Sequence, residues 1–75
     1  VNVSVSNEGK LRFYTDSEVK AAVESAKTEM GKSGRVVVRV SGTEPLVRVM
    51  VEGENKEQID RLANQVADVV RARLS

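Results

Sequence analysis

Two valine-rich segments near the middle of the chain alternate apolar and polar residues, and they constrain the fold more than any other feature. They run from Arg35 to Val40 and from Leu46 to Glu52. Alternation with a period of two is typical of half-buried strands. Because a one-residue slip would turn one set of valines outward, we predict an antiparallel pair in which Val40 lies opposite Val47. Val38 then faces Val49, and Val36 faces Val51.

Two longer segments carry apolar stripes of helical period and predict amphipathic helices. The first follows a capping-box signature from Thr15 to Glu18 and ends at Gly31. Its stripe comprises Val19, Ala22, Val23, Ala26 and Met30. The second follows Asn55, which forms a capping-box signature with Gln58. Its stripe comprises Ile59, Leu62, Ala63, Val66, Val69, Val70 and Leu74.

The first residues are expected to add one more strand. Val1 to Val5 alternates in the same way as the central segments, Asn7 to Gly9 predicts a turn, and Leu11 to Phe13 predicts a short second strand or an extended connector. The predicted order is strand, helix, strand, strand, helix. This order favours an α+β fold of residues 1–75 as a single domain, with a small antiparallel sheet and two helices packed on one face.

Composition excludes several classes of site. The chain has no cysteine and no histidine, which rules out thiolate metal sites, cysteine nucleophiles and histidine bases. Twelve lysines and arginines against 11 acids give a net charge of +1, a balance that favours neither nucleic-acid binding nor attachment to an anionic membrane. No apolar run approaches the roughly 20 residues that span a bilayer.

The hairpin register places Arg39 directly opposite Arg48, beside the loop from Ser41 to Pro45, whereas a neighbouring register of the same parity would leave them diagonal and still close. Like charges in that position destabilise a sheet, and a bound anion would relieve the repulsion. Arginine binds two oxygens of a phosphate at once, hydroxyls donate further hydrogen bonds, and glycine lets backbone amides approach. The candidate anion ligands are Arg39, Ser41, Gly42, Thr43 and Arg48. The alternative is an ordinary polar hairpin loop, in which Glu44 pairs with an arginine and Pro45 fixes the turn.

The segment Arg39-Val-Ser-Gly-Thr-Glu-Pro45, followed by Leu46 to Glu52, resembles the C-terminal domain of bacterial phosphoglucosamine mutases. These enzymes belong to the α-D-phosphohexomutase family, whose usual motif here is Arg-Pro-Ser-Gly-Thr-Glu-Pro. Val40 stands where the family has proline, and this difference concerns the stiffness of the loop more than its chemistry. The resemblance implies the TATA-binding-protein-like fold of that C-terminal domain.

The resemblance also implies a function. The parent enzyme would interconvert glucosamine 6-phosphate and glucosamine 1-phosphate for UDP-N-acetylglucosamine and cell-wall synthesis, using a phosphoserine and Mg²⁺. Its C-terminal domain closes over the phosphosugar and grips the phosphate that is not transferred. Arg39, Ser41, Gly42, Thr43 and Arg48 would form that clamp, whereas Glu44 and Pro45 would shape the loop.

On this resemblance, we expect a C-terminal domain excised from a larger cytoplasmic enzyme. The catalytic serine and the Mg²⁺ site would lie in domains absent from these 75 residues, so the chain alone would bind phosphate without catalysing. Its partners would be the phosphosugar and those domains, with no nucleic acid and no membrane. Val37 and Met50, on the predicted outer face of the sheet, are compatible with a neighbouring domain and also with ordinary exposed side chains. The alternative is a free-standing α+β protein-interaction module whose polar loop is structural.

Overall fold

The computed structural model describes residues 1–75 as three strands and three helices. They are β1 (Asn2–Ser4), α1 (Asn7–Arg12), α2 (Ser17–Met30), β2 (Gly34–Val40), β3 (Leu46–Gly53) and α3 (Lys56–Leu74). The predicted order of strand, helix, strand, strand and helix is confirmed, with α1 as an additional element.

The three strands form one antiparallel sheet in the order β1-β3-β2. The predicted hairpin register is confirmed, because Val40 lies opposite Val47, Val38 opposite Val49 and Val36 opposite Val51. On the other side of β3, Val3 of β1 lies opposite Val47. The central strand β3 therefore fixes the positions of both neighbours, and the predicted α+β class is confirmed.

The core lies between the inner face of the sheet and the two long helices. It contains no buried polar or charged residue, so packing of aliphatic side chains holds the layers together, at roughly 1.5–3 kcal/mol for each large side chain buried. The fully buried large side chains are Leu62, Leu74, Val3, Val19, Val47, Val66 and Val70. Both predicted helical stripes contribute to this core except at Ala22 and Ile59, and Ala67, which the second stripe omitted, also belongs to it.

Residues 7–12 form helix α1, so the predicted turn and extended connector were wrong. The Ser6 hydroxyl caps this helix by accepting a hydrogen bond from the Gly9 N–H at 2.8 Å. Gly9 is buried against α3, and a Cβ at this position would overlap the Leu74 carbonyl group, so only glycine fits here. Leu11 is 77% exposed, so α1 has no apolar stripe from which a helix could be predicted.

Asp16, and not the predicted Thr15, caps helix α2. Its carboxylate accepts hydrogen bonds from the N–H groups of Glu18 at 3.0 Å and Val19 at 3.1 Å. The other carboxylate oxygen accepts from Arg73 Nε at 3.2 Å, which links the start of α2 to the end of α3. Burial raises the pKa of Asp16, but the Val19 N–H, Arg73 and the Glu18 N–H together outweigh it, so its pKa lies below the ordinary value.

We predict that Gly9→Ala destabilises the fold, because its methyl group must displace the Leu74 carbonyl, which also accepts a hydrogen bond from Ser6 N at 3.1 Å. Overpacking of this kind costs about 1–3 kcal/mol, which urea denaturation measures. Gly42→Ala is the matched control, because a Cβ there would meet nothing within 4 Å. Equal stabilities of the two variants would contradict the prediction.

We predict that Asp16→Asn lowers the melting temperature at pH 7 but has a smaller effect in acid. A lowered pKa in the fold means that the charged carboxylate stabilises the native state above its ordinary pKa of 3.8. That stabilisation is lost as the pH falls through the lowered pKa of Asp16. Thermal melts from pH 7 to pH 2 measure it, with Asp68→Asn as control because Asp68 pairs only with Arg71 of its own helix. A difference from wild type that does not change with pH would contradict the assignment.

Candidate functional site

The loop between β2 and β3 is held by hydrogen bonds at both ends. At its start, Ser41 N donates to the Leu46 carbonyl at 2.9 Å, and the Ser41 hydroxyl oxygen accepts from the Glu44 N–H at 3.2 Å. At its end, the Pro45 carbonyl accepts from Val5 N, also at 2.9 Å. The sequence alone gave no sign of this last bond, because it depends on where β1 pairs.

Arg39 and Arg48 lie directly opposite each other across β2 and β3, as predicted. Both are exposed, and no carboxylate lies within the 4.0 Å of an ion pair from either guanidinium group. The side chain of Glu44 pairs with neither, so the ion pair of the alternative hairpin interpretation does not form. Two positive charges therefore stand together without an acidic partner.

A second cross-strand pair on the same face joins opposite charges, so a like-charge pair is not a general feature of these two strands. Arg35 of β2 lies opposite Glu52 of β3. Its Nε and a terminal nitrogen bind the two carboxylate oxygens at 3.2 and 3.3 Å. The same strands thus place opposite charges together at one end of the hairpin and like charges together at the loop end.

A depression of about 290 Å³ lies beside the two arginines on the outer face of the sheet. It contains four of the five predicted ligands, and exposed Thr43 is not among its lining residues. The lining consists of Val37, Arg39, Val40, Ser41, Gly42, Arg48 and Met50. The binding roles of all five residues remain predictions.

Gly42 is not required by anything inside the chain. Its φ is not positive, since Gly31 is the one glycine with positive φ, and a Cβ on Gly42 would meet no atom within 4 Å. A side chain would therefore fit at this position as far as the rest of the chain is concerned.

Asn2 is a polar neighbour of the site that the sequence analysis missed. It lies opposite Arg48 on β1, which completes a row of Asn2, Arg48 and Arg39 across the outer face. Periodicity identified β1 as a strand but gave no information about its partner, so no signal in the sequence places Asn2 here.

No group of three acidic side chains is arranged to hold a metal ion. The residues present therefore do not fit a Mg²⁺ site. None of the three helices combines the length and the apolar character needed to cross a membrane.

Comparison with known proteins identifies the family. Residues 1–69 match the model of the phosphoglucomutase/phosphomannomutase C-terminal domain, so the chain belongs to that family, and the resemblance found in its loop motif is confirmed. It is similar to the phosphoglucosamine mutase of Caldanaerobacter subterraneus subsp. tengcongensis, with 44% identity over 75 residues, covering 100% of this chain and 17% of that protein. It is also similar to the phosphoglucosamine mutase of Clostridium botulinum, with 47% identity over 70 residues, covering 93% of this chain and 16% of that protein. The chain thus spans about one sixth of the length of these curated relatives.

We predict that Arg39→Glu stabilises the chain in phosphate-free buffer, because it converts a like-charge pair into an opposite-charge pair. Cross-strand pairs of this kind contribute about 0.2–1 kcal/mol, which urea denaturation measures, and the gain should shrink as NaCl is added. Arg35→Glu is the matched control. It places like charges opposite each other at Glu52 and should lower stability. A less stable Arg39→Glu variant would show that the two arginines do not repel.

Proposed function

We propose that this chain is the C-terminal domain of a phosphoglucosamine mutase, and that it binds the phosphate group of the substrate that is not being transferred. The observation that carries the proposal is the pair Arg39 and Arg48, held opposite each other at a hydrogen-bonded loop with no acidic partner. Membership of the phosphohexomutase C-terminal domain family supports it, as do relatives named phosphoglucosamine mutase.

The chemistry of the proposed site follows from its donors. Each guanidinium group offers a planar fork that matches two phosphate oxygens, so two arginines can neutralise a dianion. The Ser41 oxygen accepts from the Glu44 N–H, which leaves its proton free to donate to a phosphate oxygen. The Gly42 amide adds a donor that no side chain shields, and the exposed Thr43 hydroxyl would reach the anion from the loop tip.

The role of this domain in the parent reaction would be to position the substrate. In each half of the interconversion of glucosamine 6-phosphate and glucosamine 1-phosphate, one phosphate would stay on the sugar while the phosphoserine of the parent enzyme gives or takes back the other. Holding the first phosphate orients the sugar and lowers the entropic cost of reaction. The phosphoserine and Mg²⁺ would belong to the other domains of a cytoplasmic enzyme, so the 75 residues alone would bind phosphosugar without turnover.

The outer face next to the arginines would meet those other domains. Val37 lies opposite Met50, and Met50 is 48% exposed although it is a large apolar side chain. An apolar pair beside a phosphate site suits closure of another domain over the bound sugar, because closure would remove this pair from water.

We predict that glucosamine 6-phosphate and inorganic phosphate shift the amide NMR signals of residues 39 to 48 in the 75-residue chain. Arg39→Ala and Arg48→Ala should each weaken binding about tenfold or more, because a hydrogen bond to a charged group is worth about 1.5–3 kcal/mol. Dissociation constants from the titration measure the effect.

Arg35→Ala is the matched control, since it removes the same charge from the same face of the same strand but from an arginine that is already paired with Glu52. It should leave the affinity within about twofold, because charges beyond contact distance are screened. Saturating phosphosugar without shifts at residues 41 to 43, or equal losses in all three variants, would overturn the site. Such a result would favour a loop with a purely structural role.

A further inference from the structure

Strand β2 lies at one edge of the sheet. Near the loop, the backbone groups of β2 that point away from β3 have no hydrogen-bond partner. Ser41 N bonds to the Leu46 carbonyl, and hydrogen-bonded pairs alternate along an antiparallel ladder, so Arg39 and Val37 are the residues that bond to β3. The N–H and C=O groups of Val38 and Val40 therefore point away from β3, and no other hydrogen bond in the chain reaches them. Both residues are half-buried, whereas Val36 is buried, so the open part of the edge is centred on Val38 to Val40.

An apolar groove of about 320 Å³ lies beside this edge at Val38. Tyr14 is 66% exposed there, and its ring packs edge to face with Phe13 at a centroid distance of 5.3 Å. Val38 contributes from β2. The lining comprises Phe13, Tyr14, Val19, Lys20, Val23, Glu24 and Val38. Unpaired backbone groups beside an apolar groove are the features by which a sheet binds an added strand.

We propose that an extended segment from elsewhere in the same polypeptide adds to β2 as a fourth, antiparallel strand, with the pattern apolar–polar–apolar and an uncharged middle residue. Its backbone pairs with Val38 and Val40, and its apolar side chains face the groove between Tyr14 and Val38. Its uncharged middle residue lies opposite Arg39 and leaves that guanidinium group free for the phosphate of the proposed function. The inference rests on the proposed function in requiring that the chain is part of a longer enzyme.

Charge argues against a second copy of this chain as the added strand. The residue directly opposite Arg39 on the added strand would share the outer face with it, so a basic residue there would add to the repulsion between Arg39 and Arg48. In a two-fold antiparallel pairing of β2 with itself about Val38, the two copies of Arg39 would become diagonal neighbours on one face. Each already lies beside Arg48, so four guanidinium groups would cluster, which is destabilising.

The length of the relatives argues for a segment of the same polypeptide. The chain spans 17% of one curated relative and 16% of another, so most of such an enzyme is available to supply the strand. A covalently linked segment binds at high effective concentration. A short pairing of two or three residues can then suffice, as it does for β1, which has 3 residues.

Amide hydrogen exchange tests the proposal, compared between the 75-residue chain and the longer enzyme that contains it. We expect the Val38 and Val40 amides to exchange at least about tenfold more slowly in the longer enzyme, because they gain acceptors. Val37 and Arg39 are internal controls, since their amides bond to β3 in both proteins. Tyr14→Ala in the longer enzyme should reverse part of the slowing, whereas Arg48→Ala should not.

Equal exchange of Val38 and Val40 in the two proteins would overturn the proposal. So would slowing that depends on protein concentration, which would indicate a second copy, or slowing that requires another protein. Failure of one proposal can be told from failure of the other. Arg48→Ala should weaken phosphate binding without changing amide exchange at Val38 and Val40, whereas Tyr14→Ala should change that exchange without weakening phosphate binding.

Discussion

The pairing of β2 with β3 in one register determines where every other element lies. With Val40 opposite Val47, all six central valines face the helices, and β3 presents its other edge to β1. A slip by one residue would turn the valines of one strand outward and bring that strand's arginine, Arg39 or Arg48, to the inner face. The same register that buries the valines therefore also brings the two arginines together, and the core and the candidate site cannot be changed independently.

That coupling explains why a destabilising pair can persist in a small protein. The arginines cannot separate without moving the valines, and the core of 14 buried residues stabilises the register far more than one exposed pair disfavours it. At the other end of the same hairpin, Arg35 and Glu52 form an ordinary ion pair. The contrast identifies the loop end as the place where the fold gives up stability, which is typical of functional sites.

Local pattern predicted much of this fold because its main elements are periodic. The valine strands, both long helices and the opposition of Arg39 and Arg48 follow from alternation and register. Helix α1 could not be predicted in this way. It has no apolar stripe, and its Gly9 is explained by the carbonyl of Leu74, which is remote in sequence. Placement of Asn2 beside Arg48 depends likewise on the pairing of β1 with β3, which periodicity does not encode.

The residue that caps helix α2 was predicted to within one position, because local sequence alone does not distinguish Thr15 from Asp16. Thr15 and Asp16 both suit the start of α2, and the choice falls on Asp16, which also reaches Arg73 at the far end of the chain. Local signals thus locate elements, and contacts between distant segments decide their details.

The bond from Val5 to the Pro45 carbonyl has a consequence for any ligand of the loop. Pro45 is bonded to Val5, Ser41 to Leu46, and Glu44 to both Ser41 and Leu46, so the loop residues whose backbone groups make no hydrogen bond are Gly42 and Thr43. Binding an anion would then restrict the conformational freedom of only a few residues, because folding has already ordered their neighbours. Much of the entropic cost of building the site is thereby met before a ligand arrives.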